Sequence, residues 1–269
     1  LAILFIAAEK ELYASASVEP GQTRPMRVTK VIRESDDVVS VRMTPADDGA
    51  VPAFKAGQYV SVTVDLAPGY RQTRQYSVSD AADGATLRIS VKREDGANSV
   101  AAGQVSNWIH ANVKEGSVLQ VSHPFGDFMP DTESNEPVVL LSAGVGITPM
   151  IAALNRIASI NPQRRVIFGF AARDAGHHPH KLDLEMAKAA MPNLQVATFY
   201  ETVGEAAHAN AGRMKVSAMP SWPRGETNVY LCGPLPFMQD QWQGLVDAGV
   251  PATRLHREVF GPDLLDHLL

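Results

Sequence analysis

Leu140-Leu141-Ser142-Ala143-Gly144-Val145-Gly146-Ile147-Thr148-Pro149-Met150 is an apolar run that breaks at two glycines one residue apart and places a proline where a helix would begin. It reads as a buried strand, a tight turn and a helix start. Glycines permit the turn and a close backbone approach, and the free N–H groups at a helix start suit a pyrophosphate. A glycine pair at such a place can also serve turn geometry alone. Position favours the phosphate reading, because this is the first of a series of alternating strands and helices. Downstream come strand Arg165–Ala171, a helix around His180–Ala190 and strand Leu194–Tyr200. A polar loop, Met214–Met219, strand Asn228–Leu231, a helix near Leu235–Val246 and a last strand Leu255–Val259 follow. Alternation of this kind predicts a parallel sheet covered on both faces, a Rossmann-like unit.

Upstream the texture differs. Arg27–Arg33, Val38–Thr44, Tyr59–Leu66, Arg71–Ser79, Thr86–Lys92 and Val118–His123 have strand character, separated by turns such as Asp83-Gly84 and Glu115-Gly116. One helix interrupts them near Ser106–Val113. Six short antiparallel strands predict a Greek-key barrel. The expected organisation is a helix in 1–17, a linker at 18–25, the barrel over 26–130, a linker at 131–136 and the α/β unit over 137–269.

The whole chain has 269 residues, 24 Lys plus Arg against 29 Asp plus Glu, and a single cysteine. At about 150 residues per domain, that length predicts two domains with cores of their own. One cysteine excludes an internal disulfide, a Cys-rich zinc site and a four-thiolate iron–sulfur cluster. A mild net charge of −5 without a basic block gives no footprint for nucleic acid. These features predict a cytoplasmic protein acting on small molecules, with no membrane partner. The apolar start, Leu1–Ala8, is too short to span a bilayer and lacks a basic leader region. Leu1, Leu4, Phe5, Ala8, Leu12 and Tyr13 share one helical face, and a start at Leu predicts that upstream sequence has been cut away.

Three further stretches carry candidate chemistry. In Arg74-Gln75-Tyr76-Ser77, strand alternation puts Arg74 and Tyr76 on one face, a phosphate-pairing guanidinium beside a ring that can stack, with Gln75 and Ser77 on the other. A half-buried strand with a snorkelling arginine fits the same residues. In Gly103-Gln104-Val105-Ser106-Asn107, Ser106 or Asn107 can cap the next helix, whose start would suit a second phosphate. In Cys232-Gly233-Pro234, the cysteine ends a parallel strand, where ligands of such sheets bind, yet a lone cysteine is also an ordinary buried apolar group. His177, His178 and His180 are the only histidine cluster, and nothing near them in sequence completes a metal site.

Together, and in this order, these pieces resemble the ferredoxin-reductase superfamily, and most of all the reductase portion of the flavohaemoglobin family, the nitric oxide dioxygenases. The runs that carry the resemblance are Leu12–Ala16, Gly57–Val60, Arg74–Ser77, Val91–Glu94, Val105–Trp108, Ser142–Pro149 and Glu258–Asp263, end to end along the chain. It implies a flavin-binding barrel, a nicotinamide-binding sheet and, at the start, the last helix of a globin. It further implies hydride transfer from NAD(P)H to FAD, and single electrons passed to the haem b of that globin, supporting O₂-dependent conversion of nitric oxide to nitrate. By the resemblance, Tyr59, Arg74, Gln75, Tyr76, Ser77, Val105, Ser106 and Asn107 hold FAD, with Val259, Phe260, Gly261 and Pro262 closing on it. Gly144, Val145, Gly146, Ile147, Thr148 and Pro149, with Cys232, Gly233 and Pro234, take NAD(P)H. Tyr76, Ser77, Cys232 and Glu258 flank the reacting rings, and no metal is assigned. The loop Asp95–Gly103 is longer than the family form. Two other readings stay open: a reductase serving a separate oxygenase or cluster protein, and a flavin-binding relay scaffold with a dead nicotinamide site. The choice of NADH or NADPH is not legible; Arg173, just past the second parallel strand, suits a 2′-phosphate, but an arginine there more commonly faces solvent, and the resemblance leans toward NADH.

Overall fold

The computed structural model describes residues 22–96, 101–204 and 209–260. The expected N-terminal helix, and Gly261 and Pro262, lie outside them.

Two six-stranded sheets carry the molecule. The first is antiparallel and comprises β1 (Thr23–Arg33), β2 (Val38–Pro45), β3 (Tyr59–Ala67), β4 (Tyr70–Ser77), β5 (Leu87–Lys92) and β6 (Val118–Ser122), in the order β4-β3-β6-β1-β2-β5. Its alternation is physical: along β3, Val60, Val62 and Val64 point inward while their neighbours face out. Inward residues from every level, among them Met26, Met43, Leu87, Ile89 and Val121, form one core. Helix α1 (Gln104–Asn112) plugs that core with Val105 and Ile109. The predicted barrel is closed only by one bridge, Val78 to Ile89, so β4 stops at Ser77 rather than Ser79.

The second sheet is parallel, with β7 (Val138–Ala143), β8 (Val166–Ala172), β9 (Leu194–Tyr200), β10 (Asn210–Ala211), β11 (Asn228–Cys232) and β12 (Leu255–Glu258) in the order β10-β9-β8-β7-β11-β12. All six residues of β7 are buried, as a central strand covered on both faces requires. Val138 and Leu140 pack against α2 (Ile147–Ile160) and α3 (Lys181–Ala190); Val139 and Leu141 pack against Met214, Met219 and α4 (Leu235–Asp247). Two details differ from expectation. The stretch Met214–Met219 supplies core side chains from a 3₁₀ turn at Val216–Ala218. A sixth strand, β10, arises in the polar loop; its two exposed residues carry no apolar signal.

The strand order reverses at β7, which has β8 on one side and β11 on the other. In open α/β sheets a crevice opens outside the carboxyl ends of the strands at that reversal. The connector ahead of β7 is tied down by the buried Arg164, whose guanidinium donates to the carbonyls of Glu136 (2.6 Å) and Asp131 (2.7 Å) and to Ser134 Oγ (3.2 Å). Among the described residues no helix is long and apolar enough to cross a membrane.

Candidate functional site

Two cavities lie side by side where the sheets meet. The larger, about 590 Å³, has Tyr59 at the start of β3, Arg74, Gln75, Tyr76 and Ser77 at the end of β4, and Val105 and Ser106 at the start of α1. Thr148 of α2 and Glu258, Val259 and Phe260 at the end of β12 close it from the other unit. The smaller, about 330 Å³, opens at the carboxyl ends of β7, β8 and β9, with Gly144, Val145, Arg173 and Pro234 in its wall. Val145 and Lys92 line both, so the cavities share a wall.

In the larger cavity four consecutive residues of β4 reach the wall, where strand alternation predicts two. β4 is an edge strand, and the cavity wraps round its end. Arg74 Nη1 donates only to nearby uncharged oxygens, Thr73 O at 2.7 Å and Gln72 Oε1 at 3.2 Å, and pairs with no carboxylate among the described residues. Burial pushes the Tyr76 phenol up to about 12, so it stays neutral. Gly126, at φ +110°, lets Tyr59 lie flat against the turn, since a Cβ there would come within 3.0 Å of the ring. The α1 start corrects the capping expectation. Gly103 occupies the cap position without a side-chain bond. Ser106 Oγ instead donates to Gly103 O (3.1 Å) and accepts from Glu94 N–H (3.2 Å), while Asn107 Nδ2 donates to Glu94 O and lies off the cavity wall. The first-turn N–H groups, which have no partner within a helix, are therefore left uncapped by any side chain beside the cavity.

The loop after β7 divides labour between its glycines. Gly144 holds φ +54° and a Cβ there would meet nothing within 4 Å. Gly146 faces the other way: its Cβ would sit 2.4 Å from the Cys232 carbonyl oxygen. It is a packing glycine joining the β7 and β11 turns. Ile147, Pro149, Cys232 and Gly233 accordingly stand behind the loop and line neither cavity, unlike Thr148, whose hydroxyl donates to Val145 O at 3.0 Å. Cys232 is fully buried; burial pushes its thiol well above the ordinary range, and the nearby Glu258 adds to this. Both effects disfavour the thiolate, the nucleophilic form of cysteine. Glu258 pairs with Cys232 across β11 and β12, and burial raises its carboxyl to about 7.

Sequence reading missed Ser90, Lys92 and Glu94 in the larger cavity, and Glu201, Arg213 and Phe237 in the smaller. Glu94, Glu201 and Arg213 sit just past a strand end, Ser90 and Lys92 within β5 and Phe237 in α4, positions brought to a cavity only by the strand order. The histidine cluster disperses. His177 Nδ1 lies 2.8 Å from Asp174 Oδ1, and His178 stacks on Phe170 with its titration pushed down to about 3 by burial. His180 joins Glu34 and Asp183, carboxylates that the sequence reading did not place beside it.

Residues 25–129 match the family model of the oxidoreductase FAD-binding domain, and residues 140–243 that of the oxidoreductase NAD-binding domain. The chain is 44% identical over 272 residues to the flavohemoprotein of Bordetella pertussis, covering 97% of this chain and 67% of that protein. The chain belongs to the flavohemoprotein family. The flavohaemoglobin-type FAD/NAD-binding domain of nitric oxide dioxygenase from Vibrio cholerae superposes with a TM-score of 0.82 at 37% identity, over 90% of this chain and all of that one. A flavohemoglobin from Malassezia yamatoensis, solved with FAD and heme, gives 0.76 at 28% identity over 95% of this chain and 64% of that one. This flavohemoprotein chain is thus an oxidoreductase whose FAD- and NAD-binding units carry electrons from NAD(P)H by way of FAD.

Proposed function

We propose that the larger cavity holds FAD, the smaller holds NAD(P)H, and the chain serves as the reductase portion of a nitric oxide dioxygenase. The wall shared at Val145 and Lys92 carries this reading, since it brings two ligands within contact at one place. The residues fit both groups. Uncapped N–H groups at the α1 start and the Arg74 guanidinium suit the flavin pyrophosphate. Tyr76 offers a neutral ring to lie against the isoalloxazine, and Ser77 a hydroxyl at the same wall. The open space beside Gly144 suits the dinucleotide backbone.

FAD held by these residues would supply hydride acceptance from NAD(P)H and release of electrons one at a time. The chain's own part is to hold the two rings in register, exclude water and keep a carboxyl in reach: Glu258 at the cavity wall, with its proton lost only near pH 7. Thr148 and Val145 form the partition against which a nicotinamide would rest. Beyond the chain, the acceptor is the haem of a globin preceding Leu1 in the intact protein, which uses the electrons for O₂-dependent oxidation of nitric oxide to nitrate. The Malassezia flavohemoglobin, solved with FAD and heme and covered by this chain over 64% of its length, supports a haem-bearing portion beyond this chain. The single buried cysteine supports a cytoplasmic setting. The proposed division of the chain is a flavin unit over 26–130 and a nicotinamide unit over 137–269. The test is anaerobic addition of NADH to the FAD-loaded chain. Bleaching of the flavin band is the expected result, and an unbleached flavin would overturn the placement.

A further inference from the structure

Beside the apolar contacts of Ala56 and Phe128, the two units meet through a buried polar cluster built round His180. The residue is fully buried just ahead of α3 at φ +61°, a left-handed conformation that a histidine keeps where surrounding bonds hold it. Its ring spans the interface. Nδ1 lies 2.9 Å from Asp183 Oδ2 on its own helix, and Nε2 lies 3.0 Å from Ser90 Oγ in β5. Its backbone N–H donates to Glu34 Oε2 at 3.2 Å, in the turn between β1 and β2. Asp183 accepts in turn from Arg88 of β5 (3.1 and 3.2 Å) and from Asn155 of α2 (2.9 Å). Ser90 Oγ also meets Ser40 and Ser79 hydroxyls at 2.8 Å each, and Ser90 is part of the flavin cavity wall.

Glu34, His180 and Asp183 place their ligating atoms within 4.8 Å of one another, the grouping a metal would want. The Arg88 guanidinium already occupies both oxygens of Asp183, so the cluster is closed as a hydrogen-bond network. A different role follows from where its ends lie. One end is rooted in α3 and, through Asn155, in α2, which follows the dinucleotide loop directly; the other is the hydroxyl of Ser90. Hydride transfer needs its reacting atoms about 3–3.5 Å apart, and here the two ring sites belong to different units.

We propose that His180 is a positioning residue for hydride transfer: bonded to Asp183 on one side and Ser90 on the other, it fixes the dinucleotide-binding unit in register with the flavin cavity. The proposal rests on the placement of FAD and NAD(P)H given above. A second contact across the same seam, Asp36 N–H to Gly176 O at 2.9 Å, provides a local reporter of that register.

The test uses the FAD-loaded chain carrying His180→Gly, His180→Asn or Ser90→Ala. Glycine and asparagine both accept the left-handed backbone; glycine removes the whole ring, and asparagine keeps an amide for Asp183 but falls short of Ser90. Anaerobic flavin reduction is followed across NADH concentrations, and amide exchange is read over residues 34–37 and 176–183. The limiting reduction rate of His180→Gly should fall about 10- to 100-fold, with NADH affinity and FAD retention changed less than about threefold. Ser90→Ala should slow reduction in the same sense, His180→Asn should recover part of the loss, and exchange should quicken in both segments of His180→Gly. A folded His180→Gly or Ser90→Ala chain reduced at the wild-type limiting rate overturns the proposal. So does a rate loss that merely tracks loss of FAD. A wild-type chain that NADH does not reduce is a separate failure, that of the cofactor placement itself.

Discussion

Replacing Gly146 by alanine would put a methyl carbon 2.4 Å from the Cys232 carbonyl oxygen, 2.5 Å from its carbon and 2.7 Å from the Gly233 nitrogen. All three are backbone atoms of the β11 turn, so no side chain can swing aside. Ordinary contact begins at 3.4 Å, so the two turns must separate by about 1 Å (3.4 − 2.4). Overpacking a well-fitted interior costs about 1–3 kcal/mol, and for a protein of this size each kcal/mol lowers Tm by roughly 2–4 °C. Gly144→Ala is the internal control. Its methyl meets nothing within 4 Å, leaving only the left-handed backbone at φ +54°, about 1–2 kcal/mol. The assays are urea denaturation of each variant and the rate of anaerobic flavin reduction by NADH. Gly146→Ala should lose stability without any ligand present and should also slow reduction by up to about 100-fold, because the loop moves by about 1 Å relative to the flavin wall. Gly144→Ala should mainly weaken NADH binding, since its methyl enters the space left for the dinucleotide. Gly146→Ala unfolding at the wild-type urea midpoint would refute the packing argument and return both glycines to a ligand-facing role.

Other outcomes follow from single residues. Arg74→Ala should weaken FAD binding about 10- to 150-fold, the equivalent of one charge-assisted bond of about 1.5–3 kcal/mol, in a fluorescence titration of the FAD-free chain; unchanged affinity would remove Arg74 from the flavin site. Glu258 is half-buried, and the water it loses on folding raises its carboxyl to about 7 from the ordinary 4.5, so the unfolded chain releases its proton first and the native state loses stability as pH rises from about 4.5 to 7. Glu258→Gln should therefore stabilise the chain more at pH 8 than at pH 5 in urea melts, and an equal gain at both would contradict the burial effect. Arg88→Met should destabilise by about 3–5 kcal/mol, because the largely buried Asp183 loses its guanidinium partner, while Asp80 keeps its pair with Arg42. Burial would raise the Asp183 carboxyl, but bonds from His180 and the Arg88 charge outweigh it and hold it below the ordinary range. The stability this contributes is present above the ordinary carboxylate value of 3.8 and is lost as pH falls below it, so the two-unit contact should loosen only in strong acid, as read by tryptophan fluorescence against pH.

The fold was largely legible before any coordinates, because periodicity is written along the chain. The unbroken apolar run Val138–Leu141 of β7 reads as a strand covered on both faces, and the alternating valines of β3 as a strand with one face inward. The exposed Asn210–Ala211 strand had no such signal, since it joins the sheet edge through backbone pairing and one Asn210 amide bond to Thr198 O, with no apolar side chain buried. Of the site, those residues whose role is chemical and whose neighbours are sequential were readable: Arg74, Tyr76, Ser77, Gly144, Val145 and Thr148 all reach a cavity wall.

What required the tertiary structure is every relation between residues far apart in the chain. Gly146 is held by Cys232, a strand crossover away, and sequence offers no sign of which way an absent Cβ would point. Ser106 and Asn107 look like caps until Glu94 appears beside them and takes up their bonds. His180 reads as one of three clustered histidines, yet its partners Ser90 and Glu34 come from the other sheet, 90 and 146 residues away. The sequence by itself determined the elements, the two classes of sheet and the kinds of chemistry on offer, because those depend on local period and residue type. The meeting of the two cavities at Val145 and Lys92, and the buried network that sets their register, were decided only by folding, because burial and hydrogen bonding depend on which surfaces the strand order brings together.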